Sequence, residues 1–137
     1  MTKKAIVKWL NGYVLEGITD TGTKVYMDSA ENKTYPSPAQ LLLQALAGCT
    51  MMDCVLILTK SRKHLERFFI EIEATESETH PKIYTHIHLT YNFFGPDLDT
   101  SLIERAIKLS EEKYCRVHAM LGSRTTVTSS YRINNIS

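Results

Sequence analysis

Short apolar runs separated by polar turn residues make up the amino end of the chain. Apolar and β-branched residues dominate 4–9, 13–19 and 23–27, and Asn11-Gly12 and residues 20–22 separate these runs. Asn-Gly between two such runs is the strongest short-range signal for a β-hairpin, because both residues tolerate positive φ. The pattern therefore predicts an antiparallel meander of three strands.

A long apolar stretch follows and predicts a helix from Pro38 to about residue 62. Ser37 can cap this helix, Pro38 suits its first position, and Gln40 completes a capping box. Apolar side chains cover nearly its whole circumference: Leu41, Leu42, Leu43, Leu46, Met51, Met52, Val55, Leu56, Ile57 and Leu58. A helix that is apolar all round must be buried all round, which is hard to arrange in a chain of 137 residues. The pattern therefore predicts a partner subunit.

Alternation and turn residues predict the elements of the second half. These are strands over 68–74 and 84–91, an amphipathic helix from 99 or 100 to about Cys115, a short helical turn over 117–121, and a strand over 125–133. Strands grouped in blocks with hairpin turns are typical of antiparallel sheets and of the α+β class. With no repeat and no linker, we expect a single domain over residues 1–137.

Composition and charge limit which classes of protein and which cellular compartments fit the sequence. Hydrophobic residues make up 43% and charged residues 23%, which is ordinary for a soluble protein, and a net charge of +1 gives no reason to expect nucleic acid. The run from Leu41 to Leu58 approaches a membrane span in length, but Gln44 and Asp53 inside it favour a buried core helix. Without a signal peptide, we expect a cytoplasmic protein whose thiols stay reduced.

The three cysteines offer the most plausible chemistry. Cys49 and Cys54 lie five apart on one predicted helix, about 140° apart around its axis and about 7.5 Å along it, which no disulfide spans. Cys115 ends the other helix and can approach either, and Gly48 leaves the backbone beside Cys49 uncrowded. Geometry therefore favours Cys49 with Cys115 and leaves Cys54 in the core. On spacing alone, three buried structural cysteines are the commoner arrangement.

The histidines give a weaker signal. His86 and His88 share one face of a predicted strand and could bind a metal, but the sequence indicates no third ligand. We therefore predict no metal and no other cofactor. His118 lies three residues after Cys115 and could polarise its thiol if both sit on one helical face.

Two motifs resemble the cysteine regions of the OsmC/Ohr superfamily, the osmotically inducible and organic-hydroperoxide-resistance proteins. They are SPAQLLLQALAGCTMMD at residues 37–53 and LSEEKYCRV at residues 109–117. The Lys-Tyr-Cys form and Val7-Lys8-Trp9 look closest to an OsmC-like branch, and the resemblance covers essentially the whole chain. It implies an intertwined α+β homodimer, with two long central helices packed between antiparallel sheets.

The resemblance also implies cysteine-based reduction of organic or hydrogen peroxides in oxidative stress defence. Cys49 would be the peroxidatic thiolate, which attacks the O–O bond and becomes a sulfenic acid. Cys115 would be the resolving thiol, closing a disulfide that an external dithiol then reduces. The active sites would lie at the subunit interface, and no membrane or nucleic acid takes part.

Two positions depart from the pattern of the peroxidases in that superfamily. Those proteins use an arginine from the amino-terminal sheet and a glutamate just after the Ser/Asn-Pro, whereas this chain has no arginine before Arg62 and carries Ala39 and Gln40. Arg116 or Arg124 could substitute for the arginine. The departures motivate an alternative, a non-catalytic or weakly catalytic dimer that binds a ligand or senses redox state.

Overall fold

The computed structural model describes residues 1–135 and is of the α+β class. Its elements are β1 (Ala5–Asn11), β2 (Val14–Thr19), β3 (Lys24–Met27), α1 (Pro38–Lys60), β4 (Arg67–Glu76), β5 (Tyr84–Gly95), α2 (Thr100–Leu109), a π-helical turn (Ser110–Tyr114), α3 (Arg116–Met120) and β6 (Thr126–Asn135). The predicted order of strands and helices is confirmed. The chain forms two compact units, Met1–Gln44 and a second that begins at Ala45. The single domain stays a prediction.

The first unit contains the predicted antiparallel meander. Strands β1, β2 and β3 pair in that order, and the register shifts between Trp9 and Asn11. Gly12 has a φ of 52°, the left-handed region that glycine enters without a steric penalty. The Trp9 indole donates a hydrogen bond to the Gly12 carbonyl over 2.8 Å. The Asn11-Gly12 pair therefore makes the hairpin that the sequence predicts.

A capping box starts α1, as expected. The Gln40 backbone amide donates to the Ser37 hydroxyl over 3.2 Å, and the Ser37 amide donates to the Gln40 side-chain oxygen over 2.9 Å. These two bonds satisfy amides that the first helical turn leaves without partners. The side chain of Gln40 is thereby committed to starting the helix.

The second unit contains a mixed sheet with β5 at its centre. Strand β4 pairs with β5 antiparallel, but β6 pairs with β5 in parallel. The expectation of wholly antiparallel sheets is therefore wrong for this pair. Parallel neighbours need a long crossover connection, and α2, the π-helical turn and α3 supply it between β5 and β6. Alternate residues of β5 form the core of the unit: Ile87, Leu89, Tyr91 and Phe93.

Helix α1 buries only one face within the single chain. Its buried residues recur every fourth position: Leu46, Thr50, Cys54 and Leu58. Met52 remains 75% exposed, and Val55 and Leu56 are also exposed. Length and composition alone would let α1 cross a membrane, a property that core helices of soluble proteins share. The burial all round that the sequence predicts is not reached inside one chain.

Helix α2 ends earlier than the sequence predicts. Its apolar face buries Ile103, Ala106 and Ile107, as the helical period requires. At Leu109 the α-helix gives way to the π-helical turn, so Cys115 follows a wider turn instead of ending a regular helix. π-Helical turns occur mostly as single-turn insertions within α-helices, and they are frequent at functional sites.

Candidate thiol site

The structure brings Cys49 and Cys115 together, although they lie 66 positions apart in the sequence. Cys49 lies in the second unit's part of α1 and is partly exposed, whereas Cys115 is only 3% exposed. The two thiols lie close enough to interact as hydrogen-bond partners. Two thiols in contact can form a disulfide once one of them is oxidised.

Local structure on both sides fixes the position of Cys115. The Cys115 backbone amide donates over 2.8 Å to the carbonyl of Ser110, which closes the π-helical turn. Cys115 then has extended backbone (φ −74°, ψ 107°) and caps α3, where its sulfur accepts a 3.4 Å hydrogen bond from the His118 amide. The thiol is therefore held at a junction between two helical segments.

Burial sets the protonation of Cys115. Burial and, to a smaller extent, the hydrogen bond with Cys49 raise the pKa of its thiol to about 11, although the His118 amide acts in the opposite direction. With such a pKa, the Cys115 thiol is almost wholly protonated at pH 7. Cys115 is thus a weak nucleophile toward a reagent in solution.

Cys54 lies in the core, as the helix geometry predicts. It is fully buried on the inner face of α1. Burial, with a smaller contribution from the charges of Asp53 and Glu111, raises the pKa of its thiol to about 12. A thiol so buried and so rarely ionised is a packing residue.

Two polar contacts that sequence reasoning missed connect the π-helical turn to α1 and to β5. The Ser110 hydroxyl donates to the Asp53 carboxylate over 2.8 Å. The Tyr91 hydroxyl donates to Glu111 over 3.0 Å and lies near the Thr50 hydroxyl, which donates to the Ala47 carbonyl over 3.0 Å. Burial, together with the charge of Glu111, raises the pKa of Tyr91, which keeps its hydroxyl a donor. The available signal was Asp53, a carboxylate within the apolar run of α1, since a polar group in such a run needs a partner.

The candidate activating groups do not contact the thiols through their side chains. His118 reaches Cys115 through its backbone amide, and its imidazole Nδ1 is buried without a hydrogen-bond partner among residues 1–135. The expectation that the imidazole polarises Cys115 is therefore wrong for this structure. Within residues 1–135, the side chains of Arg116 and Arg124 form no hydrogen bond and no ion pair.

Arg116 instead lines an open cavity of about 550 Å³. The cavity is lined by residues of α1, α2 and the segment around Cys115: Asp53, Leu56, Ile57, Lys60, Ser61, Leu102, Arg105, Leu109, Tyr114 and Arg116. Its volume falls within the ordinary range for small-molecule pockets. Two lining residues, Tyr114 and Arg116, flank Cys115 in sequence, but neither thiol is part of the lining.

The paired histidines belong to a hydroxyl network on the second sheet. His88 is hydrogen-bonded to Thr128 and Ser130 over 2.7 and 3.0 Å, and His86 is hydrogen-bonded to Thr128 over 3.0 Å. Nowhere in the described residues do three His, Cys, Asp or Glu side chains lie close enough to hold a metal ion. The two histidines therefore contribute side-chain hydrogen bonds between β5 and β6.

Comparison with known proteins places the sequence in a family. The sequence profile of the OsmC-like protein family matches residues 30–130. Protein YhfA of Escherichia coli strain K12 is 35% identical over 130 residues, which cover 95% of this chain and 97% of YhfA.

Solved structures share the fold. A hypothetical protein from Aquifex aeolicus VF5 superposes with a TM-score of 0.90 at 27% identity, covering 100% of this chain and 99% of its own. The organic hydroperoxide resistance protein OhrB of Bacillus subtilis superposes with a TM-score of 0.66 at 16% identity, covering 96% and 98%. The predicted fold, with two small sheets and a long helix, is therefore confirmed.

The three thiols should differ sharply in reactivity with iodoacetamide. We expect Cys49 to be modified first, because Cys115 and Cys54 are buried and their pKa values are raised to about 11 and 12. The alkylation rate of Cys115 should rise about tenfold per pH unit from 7 to 10, because only the thiolate reacts. Peptide mass spectrometry after short pulses measures all three rates together. Equal rates for Cys49 and Cys115 at pH 7 would contradict this assignment.

Proposed function

The chain belongs to the OsmC-like protein family, and we propose that it is a thiol-dependent peroxidase acting on organic or hydrogen peroxides. The observation that carries the proposal is the contact between the thiols of Cys49 and Cys115. The fold likeness to OhrB, whose name refers to organic hydroperoxide resistance, points in the same direction. A reducing compartment such as the cytoplasm suits the proposal, since all three cysteines are free thiols.

The proposed cycle has three balanced steps. The Cys49 thiolate attacks one peroxide oxygen, the O–O bond breaks, and the products are a Cys49 sulfenic acid and an alcohol or water. The Cys115 thiol then loses its proton and its sulfur attacks the Cys49 sulfur, which forms the S–S bond and breaks the S–O bond; the leaving hydroxide takes up a proton and departs as water. An external dithiol supplies two electrons and two protons to restore both thiols.

Exposure and protonation support assigning the first step to Cys49. Cys49 is partly exposed, so a peroxide can reach its sulfur, whereas Cys115 is buried. The raised pKa of Cys115 keeps its proton on sulfur, from where it can be donated toward Cys49. A donor at the Cys49 sulfur stabilises negative charge there, as the attacking thiolate requires.

We further propose that the protein works as a homodimer. Met52, Val55 and Leu56 are exposed on α1, and Ile6 and Trp9 are exposed on β1. Full burial of each such side chain is worth about 1.5–3 kcal/mol, and a second copy of the chain offers matching apolar surfaces. Because Cys49 lies close to the exposed residues of α1 in sequence, dimerisation would place the thiol pair near the interface.

A second candidate function has its own supporting observation. The Gln40 side chain is occupied in the capping box, and no carboxylate stands at that position to pair with an arginine. This favours a dimer that binds a ligand or registers oxidation through one disulfide without efficient turnover. Consumption of many equivalents of peroxide in the presence of dithiothreitol separates the two candidates, because a sensor would stop after one.

Substitution of the two cysteines should separate the steps of the cycle. Cys49→Ser should abolish peroxide consumption with dithiothreitol, because no other thiol is both accessible and paired. Cys115→Ser should consume one equivalent and accumulate a sulfenic acid that dimedone traps on Cys49. Cys54→Ser serves as the matched control, since a packing residue should leave turnover within about threefold. If Cys49→Ser consumes peroxide at the parental rate, the peroxidase proposal fails.

A charge on the exposed face of α1 should break the dimer. We expect Met52→Glu to raise the dissociation constant at least about 100-fold, because burying an unpaired carboxylate costs several kcal/mol. Lys108→Glu on the exposed side of α2 adds the same side chain and should leave the dimer intact. Sedimentation velocity over a concentration series measures both. A parental protein that sediments as a monomer at high concentration would refute the dimer.

A further inference from the structure

The turn that carries Cys115 is connected to its surroundings by two part-buried polar links. In the first, the Ser110 hydroxyl donates to Asp53 of α1 over 2.8 Å. In the second, Tyr91 donates to Glu111 over 3.0 Å and lies near Thr50 of α1. Ser110, Tyr91 and Thr50 are themselves fully buried, so each of their hydroxyls needs a partner.

Each link begins beside one thiol and ends beside the other. Asp53 lies four residues after Cys49, one turn along the same helix, and Thr50 is the next residue after Cys49. Ser110 accepts the Cys115 amide through its carbonyl over 2.8 Å, and Glu111 follows it in the same π-helical turn. The side chains of Asp53 and Ser110 therefore connect the backbones of the two cysteines by a short route.

Disulfide formation tolerates little error in the placement of its two residues. The Cβ atoms must come to about 3.8 Å and the Cα atoms to about 5.5–6 Å. A misplacement of about 1 Å can slow an intramolecular step about 100-fold. The π-helical turn alone does not fix this distance, because its own backbone hydrogen bonds do not connect it to α1.

We propose that Asp53 and Ser110 are positioning residues for the resolving step of the proposed cycle. Their hydrogen bond holds the Cys115 sulfur against the Cys49 sulfenic acid, so that the S–S bond forms as hydroxide leaves. The Tyr91–Glu111 link supports the same turn from the side of β5. Neither Asp53 nor Ser110 touches the peroxide in this scheme, so the first step does not depend on them. The inference rests on the proposed function.

The decisive variant is Ser110→Ala, with Ser101→Ala as its matched control on the exposed surface of α2. After one equivalent of hydrogen peroxide, quenched samples are analysed for dimedone-trapped sulfenic acid and for the Cys49–Cys115 disulfide. We expect Ser110→Ala to close the disulfide about 10- to 100-fold more slowly while the sulfenic acid forms within about twofold of the parental rate. Ser101→Ala should match the parent in both steps. Closure at the parental rate in Ser110→Ala would overturn the inference.

A second pair of variants tests the inference if Ser110→Ala does not fold. Asp53→Asn keeps an oxygen that accepts from Ser110 and should retain closure within about threefold, whereas Asp53→Ala should slow it like Ser110→Ala. A merely structural role would slow both steps, or would lower the unfolding midpoint without changing their ratio. Equal closure rates in Asp53→Asn and Asp53→Ala would contradict the positioning role.

Oxidation by diamide separates failure of this inference from failure of the proposed function. Diamide closes dithiols without peroxide, so it reports on placement alone. If peroxide leaves the parental thiols untouched, the peroxidase proposal fails, yet slower closure by diamide in Ser110→Ala still supports the positioning role. If the parent forms its disulfide with peroxide and Ser110→Ala closes as fast with either oxidant, only the positioning inference fails.

Discussion

The contact between the Cys115 and Cys49 thiols is the interaction on which the candidate site depends. One sulfur comes from α1 and the other from a junction between two helical segments, 66 residues later in the chain. Short polar contacts surround it: the Cys115 amide on Ser110, the His118 amide on the Cys115 sulfur, and Ser110 on Asp53. Each of these contacts limits where the sulfur of Cys115 can lie.

The same contact divides the roles of the two sulfurs. Cys115 is buried and its pKa is raised to about 11, while Cys49 is partly exposed. Cys54, five residues from Cys49, is fully buried on the inner face of α1 and serves packing. One helix thus presents one sulfur at its surface and another to the core, because the two residues lie about 140° apart around its axis.

The sequence was informative wherever a local rule determines the structure. Asn11-Gly12 predicts its hairpin and Ser37 with Gln40 predicts the capping box, because both depend on neighbours within a few residues. Helix geometry separates Cys54 from Cys49, and the neighbours of each residue in the sequence favour Cys49 as the partner of Cys115. Two features depend on packing between distant segments: the parallel pairing of β6 with β5, and the π-helical turn. The hydrophobic periodicity of the sequence reveals neither. The Asp53–Ser110 bond joins residues 57 positions apart, so only the folded chain displays it.

The second constraint on the structure is the exposed apolar surface of α1. Helix α1 is apolar around most of its circumference but buries one face, which leaves a surface that a second copy would cover. The pairing of the two sulfurs, however, can be tested without reference to the dimer. The most direct measurement is peptide mass spectrometry of the native protein after one equivalent of peroxide, digested without reductant. We expect a peptide pair joined by Cys49 and Cys115, with Cys54 still a free thiol. Oxidised protein in which Cys49 carries only sulfinic acid, or in which Cys54 is cross-linked, would contradict this pairing.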